Sequence, residues 1–473
     1  MSTGSNIMKS HWNLVKLGRC VSFIAIVTLC AVTLADTVWT AGSTTVDDLL
    51  NESNWSNGAP TSLDNPGVIN EGTITVSNTN YRPGAAGQDV DITFGGASQT
   101  TINGPFIPLG NMTSGLASFT FEVTDNATVT ASGNFWGGTN ANSTFSPTHG
   151  NYFPLVQYYT GDSSFTAAEW WAGMGARTYV QMADNAKVES VSGNSGFGCV
   201  GTSYKSVMDM YDSSALTIRN WEQKDSIMNM YDTSSATSAG NWKLYAGASR
   251  LYMSDQSALT VSGETSVYNG GVAINPKEKS VVSLKTAIIY DNGALTLTGD
   301  SSVTNTQLRI MSSGAVNVTQ NSTLTTDGTT YIGYDSAGGA FNQTGGTVNA
   351  NGTTYFSWHA DSTVNLSGGQ FIVNGTIYGA DQNERIGNVN MSGDAYLKAT
   401  TMAWGQHGVN NINMTDNSVM EANTLHLAYH CDTPDTSETH IVMSGNSRIT
   451  ATAELRPLTA LAQRPVTPTQ RLS

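Results

Sequence analysis

The side chains best suited to chemistry in this 473-residue chain lie in LHLAYHCDTPDTSETHI, where His426, His430 and His440 flank Cys431. Imidazole and thiolate are common zinc ligands, and two histidines four residues apart can share an ion when they ride one helix. Here Pro434 and the strand-like flanks argue against a helix. On a strand, positions i and i+4 lie about 13 Å apart at ~3.3 Å per residue, so no zinc site is assigned. Carboxylates come next. Asp47-Asp48 is the only adjacent aspartate pair, and Asp162 and Glu169 are the only acids in the aromatic-rich stretch 133–178. A hydrolase or lyase site needs carboxylates that converge in a cleft and perturb one another, and these spacings fix no such arrangement. Asp184, Asp212, Asp232, Asp255 and Asp416 recur at one place of a repeated motif, where turn formation already explains them. A calcium-binding G-G-x-G-x-D series is absent. The sequence therefore assigns no catalytic, cofactor-binding or metal-binding residue.

The elements that would position any site are repeats. MYDTSSAT (230–237), MSDQSALT (253–260), MSGDAYLK (391–398), MTDNSVME (414–421) and MSGNSRIT (443–450) share one pattern: a Met, a small or aromatic residue, a turn-forming pair, then alternation. FNQTGGTVNANG (341–352) and VNLSGGQFIVNG (364–375) are glycine versions. The third motif positions in the second half, 320, 345, 368, 393, 416 and 445, step by 25, 23, 25, 23 and 29. A period near 23 with strand-type alternation predicts an all-β chain, a right-handed parallel β-helix (β-solenoid) of stacked coils. In the unit at 414–420 the apolar Met414, Val419 and Met420 are expected inside, with Asp416-Asn417 at the corner. At ~4.8 Å per coil, roughly 12 to 17 coils make a rod about 60 to 80 Å long.

Composition sets the compartment. Lys9, Lys16 and Arg19 precede the apolar run from Val21 to Ala35, and Thr33-Leu34-Ala35 supplies a signal-peptidase site before Asp36. The 15-residue run is short of the ~20 that span a bilayer as a helix, so it reads as a cleaved secretory signal and no transmembrane anchor is expected. Without residues 1–35 the chain carries 36 acidic and 18 basic side chains, or −18, which argues against nucleic acid or anionic lipid as partners. Cys20 and Cys30 leave with the signal. Cys199 and Cys431 stand 232 residues apart, about ten coils, and form no disulfide framework. Residues 36–118 read as N-terminal cap and first coils, 119–455 as solenoid with an irregular insertion at 133–178, and 456–473 as a tail.

The stretch YIGYDSAGGAFNQTGGTVNANGTTYFSW (331–358) is similar to the repeat of bacterial secreted β-solenoid proteins of the autotransporter-passenger kind, often found among PEP-CTERM-associated surface proteins. Trp39-Thr-Ala-Gly and Asn54-Trp55-Ser-Asn-Gly-Ala-Pro60 resemble the opening of the same proteins. The resemblance implies a β-solenoid exposed outside the cell, and no particular activity. The chain departs from it at the C-terminus, where ELRPLTALAQRPVTPTQRLS has no Pro-Glu-Pro motif and no apolar span.

One register of aromatics stands out. Tyr334, Trp358, Asp381, Trp404 and Tyr429 step by 24, 23, 23 and 25, each after a small residue. Strand alternation then predicts an outward file, either a stacking ladder or a platform for sugar rings formed by Tyr334, Trp358, Trp404 and Tyr429. The expected function is a secreted or cell-surface structural, adhesin-like rod without enzymatic activity or cofactor, binding polysaccharide or other surface proteins. The alternative is a polysaccharide lyase or glycoside hydrolase on a β-helix scaffold.

Overall fold

The computed structural model describes residues 37–42, 44–60, 66–77, 90–107, 119–137, 155–173, 177–198, 205–245, 247, 249–269, 271–335, 337–381, 385–427 and 438–456. These residues form one parallel β-solenoid, with short strands stacked coil upon coil and no α-helix among them. A typical coil has three strands, as in Ser206–Met210, Ala215–Ile218 and Asn220–Lys224, and each strand pairs in parallel with its counterpart in the coils before and after. The stacked first, second and third strands make three faces.

Inward positions follow strict alternation. On the first face Met182, Met210, Met230 and Met253 stack in register, steps of 28, 20 and 23 residues, and Met391 meets Met414 at 23. The period thus varies most in the N-terminal half. On the third face the interior holds Trp170, Trp221 and Trp242, with ring centroids 5.9 and 5.3 Å apart. Such a core needs its neighbours, because one coil alone cannot bury these side chains.

The turn from first to second face explains the repeated motif. Asp125, Asp184, Asp212, Asp232, Asp255 and Asp416 all take φ between 55 and 60°, the left-handed region. Aspartate tolerates that conformation better than most L residues. Each carboxylate also grips the preceding coil: Asp184 N donates to Asp212 Oδ2 at 3.2 Å, Asp212 N to Asp232 Oδ2 at 3.3 Å, and Asp232 N to Asp255 Oδ2 at 3.3 Å. Two residues later comes a buried Ser or Ala whose N–H closes the turn, as Ser214 does on Tyr211 O at 3.2 Å. In the 341–352 and 364–375 stretches the backbone passes this corner as a bulge within one long strand, with Gly346 at φ 67° and Gly369 at φ 76°.

Several local expectations change. Met414 and Met420 are buried, but Val419 faces outward beside Tyr396, as alternation requires. Within the stretch read as an irregular insertion, Leu155–Tyr159, Ser164–Ala167 and Trp170–Ala172 form a complete coil in register with its neighbours. Residues 138–154, Cys199 and Cys431 lie outside the described residues. At the N-terminal end Trp39 and Trp55 meet edge to face at 5.3 Å, and Trp55 Nε1 donates to Leu49 O at 2.6 Å. That pair closes the first coil.

Candidate aromatic binding site

The acidic candidates are held by the scaffold. Asp162 Oδ1 accepts from Asn185 Nδ2 at 2.8 Å, and Glu169 accepts from Asn134 Nδ2 at 2.9 Å and Trp171 Nε1 at 3.3 Å. Asp48 Oδ1 caps its own turn through Leu50 N at 2.8 Å, and Asp47 accepts from Ser77 Oγ. His440 Nε2 lies 2.8 Å from Glu438 Oε2 on the last first-face strand among the described residues. His426 stands on a different strand, where burial and then Arg456 push its pKa below the usual imidazole value. His430 falls outside the described residues.

The aromatic register needs a one-residue correction. The third-face strands Thr330–Ile332 and Thr354–Phe356 end at a residue in left-handed conformation: Gly333 at φ 78° and Ser357 at φ 64°. Ala380 at φ 43° and Gly405 at φ 66° hold the same place in the next two coils. Tyr334 and Trp358 therefore leave the sheet after the corner, whereas Trp404 is the last strand residue before it. Trp404 points inward, is fully buried and rests on Phe356 at 5.9 Å. Gly379 makes room for it, since a Cβ there would meet the Trp404 ring at 2.4 Å. The position equivalent to Tyr334 and Trp358 is Gln406, not Trp404. Asp381 keeps the expected register and is nearly buried, at 8% exposure. Tyr429 lies outside the described residues.

Three tyrosines missing from the predicted file complete the site. Tyr331, Tyr355 and Tyr378 are partners across successive third-face strands, so their rings stack at 5.1 Å and 6°, then 5.3 Å and 19°. They occur two residues before the small corner residue in TTYIG, TTYFS and TIYGA, and that recurrence was the available signal. Burial, with Asp381 and the neighbouring tyrosines, raises the Tyr355 pKa.

The stacked rings cover one another's faces. Trp358 instead leans across their edges, 4.2 Å from Tyr355 at 70° and 5.8 Å from Tyr331 at 69°. Tyr334 stands at 75° to Tyr331, 5.0 Å away, with the Arg309 guanidinium 4.8 Å from its ring centroid. Exposed His359 completes the rim, 5.3 Å from Trp358 and 6.2 Å from Tyr334. The result is an outward basket of half-buried rings with a guanidinium and an imidazole at its edge. A second stack, Tyr245, Tyr268 and Tyr290, lies on the same face at spacings of 5.4 and 4.8 Å. Comparison with known proteins yields no match: no family model, no curated protein and no solved structure is similar to this chain.

Proposed function

We propose that the protein is a secreted or cell-surface structural rod of adhesin-like type, without enzymatic activity, whose third face binds polysaccharide through the aromatic basket. The observation that carries this reading is the orientation of Trp358 and Tyr334. Both stand near perpendicular to the tyrosine stack, outside the sheet, where stacking between coils does not require them. Sugar rings offer apolar C–H faces to such aromatics, while Arg309 and His359 supply hydrogen-bond donors for hydroxyls. The chain's acidic balance favours a neutral glycan over a polyanion. The N-terminal apolar run supports export, and secreted protein beginning at Asp36 is the expected product.

The test is the pair Trp358→Ala and Tyr334→Ala, read by retention on insoluble neutral polysaccharides and by thermal unfolding. Loss of about 1.4 kcal/mol of stacking lowers affinity about tenfold. Retention should fall by at least that factor with little change in melting. Unchanged retention overturns the binding site. Release of reducing or unsaturated ends from any glycan by the purified wild-type protein overturns the non-enzymatic reading and brings back the hydrolase or lyase.

A further inference from the structure

The second face carries a file that the polysaccharide reading does not use. The segments SALT (214–217), SSAT (234–237), SALT (257–260), SVVS (280–283), SSVT (301–304) and STLT (322–325) each run buried serine, outward, inward, outward. Their last residues, Thr217, Thr237, Thr260, Ser283, Thr304 and Thr325, are direct partners across six consecutive coils with no register shift between them. The first five are exposed and the sixth is half-buried. The other outward position of each strand is Ala, Ser, Val or Thr, so both columns are free of charged and aromatic residues over these coils.

Spacing is then fixed by the sheet: ~4.8 Å between coils and about 6.6 Å between the two columns. Threonine is stiff at χ1, so a shared backbone conformation favours the same hydroxyl direction in each coil. The first face offers a contrast. Its outward asparagines Asn317, Asn342, Asn365, Asn390 and Asn413 hydrogen-bond to one another at 2.9 to 3.0 Å. The six second-face hydroxyls have no hydrogen-bond partner among the described residues. They present a periodic, uncharged array of donors, acceptors and methyl groups.

We propose that this face binds ice. A periodic array gains most from a partner that is itself periodic, because each added contact is made without ordering a flexible chain. The absence of charge from these two columns over the six coils disfavours ionic minerals and polyelectrolytes there, and the absence of aromatics over the same coils leaves sugar stacking to the third face. Water in a lattice matches both the hydroxyls, through hydrogen bonds, and the methyls, through apolar contact.

The full chain is tested by slow growth of ice from dilute solution and by recrystallisation of fine-grained ice. Wild type should be taken up into the ice and should suppress coarsening. Thr237→Tyr with Thr260→Tyr should abolish both effects at unchanged melting temperature. Gln256→Tyr at the adjoining corner and Trp358→Ala should retain them, which separates this face from the basket. Thr304→Tyr alone serves as the second variant if the double change disturbs the fold. Exclusion of wild type from ice, or equal uptake of a folded Thr304→Tyr or Thr237→Tyr/Thr260→Tyr variant, overturns the proposal and leaves the file as β-propensity only. Loss of binding to crystalline polysaccharide in the threonine variants, with wild type excluded from ice, assigns the face to a glycan instead.

Discussion

At the residue scale, the corner aspartates show how one side chain serves backbone and stacking together. Asp232 adopts φ 56° and accepts the N–H of Asp212 from the coil before it. Alanine tolerates the left-handed region worse by about 1–2 kcal/mol and has no acceptor. Asp232→Ala should therefore destabilise by roughly that amount, whereas Asp232→Asn should stay within about 0.5 kcal/mol, since asparagine keeps both properties. Thermal unfolding of the two variants side by side checks this, and equal losses would refute the backbone account. All the corner aspartates but Asp255, which precedes Gln256, were legible in the sequence because Asp before Asn, Ser or Thr is a local turn signal. Trp404 was not. Its direction depends on whether the strand ends before or after it, and Ala403-Trp404 and Ser357-Trp358 look alike in the sequence although only Ser357 sits at the left-handed corner.

At the element scale, alternation made the inward sets readable, and strand ends escaped. Val419 and Met420 are adjacent, so alternation admits only one of them to the interior, and the strand takes Met420. The strand Val419–Leu427 and its preceding turn also carry a pH response. The Gly393 N–H, with the Thr415 hydroxyl, holds Asp416 below the ordinary carboxylate value. Hydrogen bonds from Lys398 and Tyr396 lower Glu421 likewise. A depressed folded pKa contributes stability that is complete above the unfolded value and is lost as pH falls through the folded one. These coils should accordingly loosen below the usual carboxylate range. Amide exchange across 391–427 measured against pH should show it, and Asp416→Asn with Glu421→Gln should flatten the profile.

At the whole-molecule scale, stability in a solenoid is a sum of coils and nearest-neighbour contacts, so it varies along the rod. The two described ends differ. Trp39 and Trp55 close the first coil, whereas on the last described strand, Arg448–Arg456, Leu455 is 57% exposed and Ile449 only partly buried. Hydrogen exchange should thus be fastest over 438–456 and slowest among the Trp170, Trp221 and Trp242 coils, and uniform protection would contradict a nearest-neighbour rod. The repeat itself was legible from its period, but which face would carry free hydroxyls and which would saturate its own asparagines emerged only from the register. Parallel stacking has one more consequence. The ladder hydrogen bonds run along the rod axis, so tension applied between its ends loads the bonds of the outermost coil first instead of many in parallel. Each coil that peels away releases about 23 residues, or ~80 Å of extended chain. Anchored at one end and loaded at the other, such a rod would yield in steps, lengthening as a tether while the coils still stacked kept their shape.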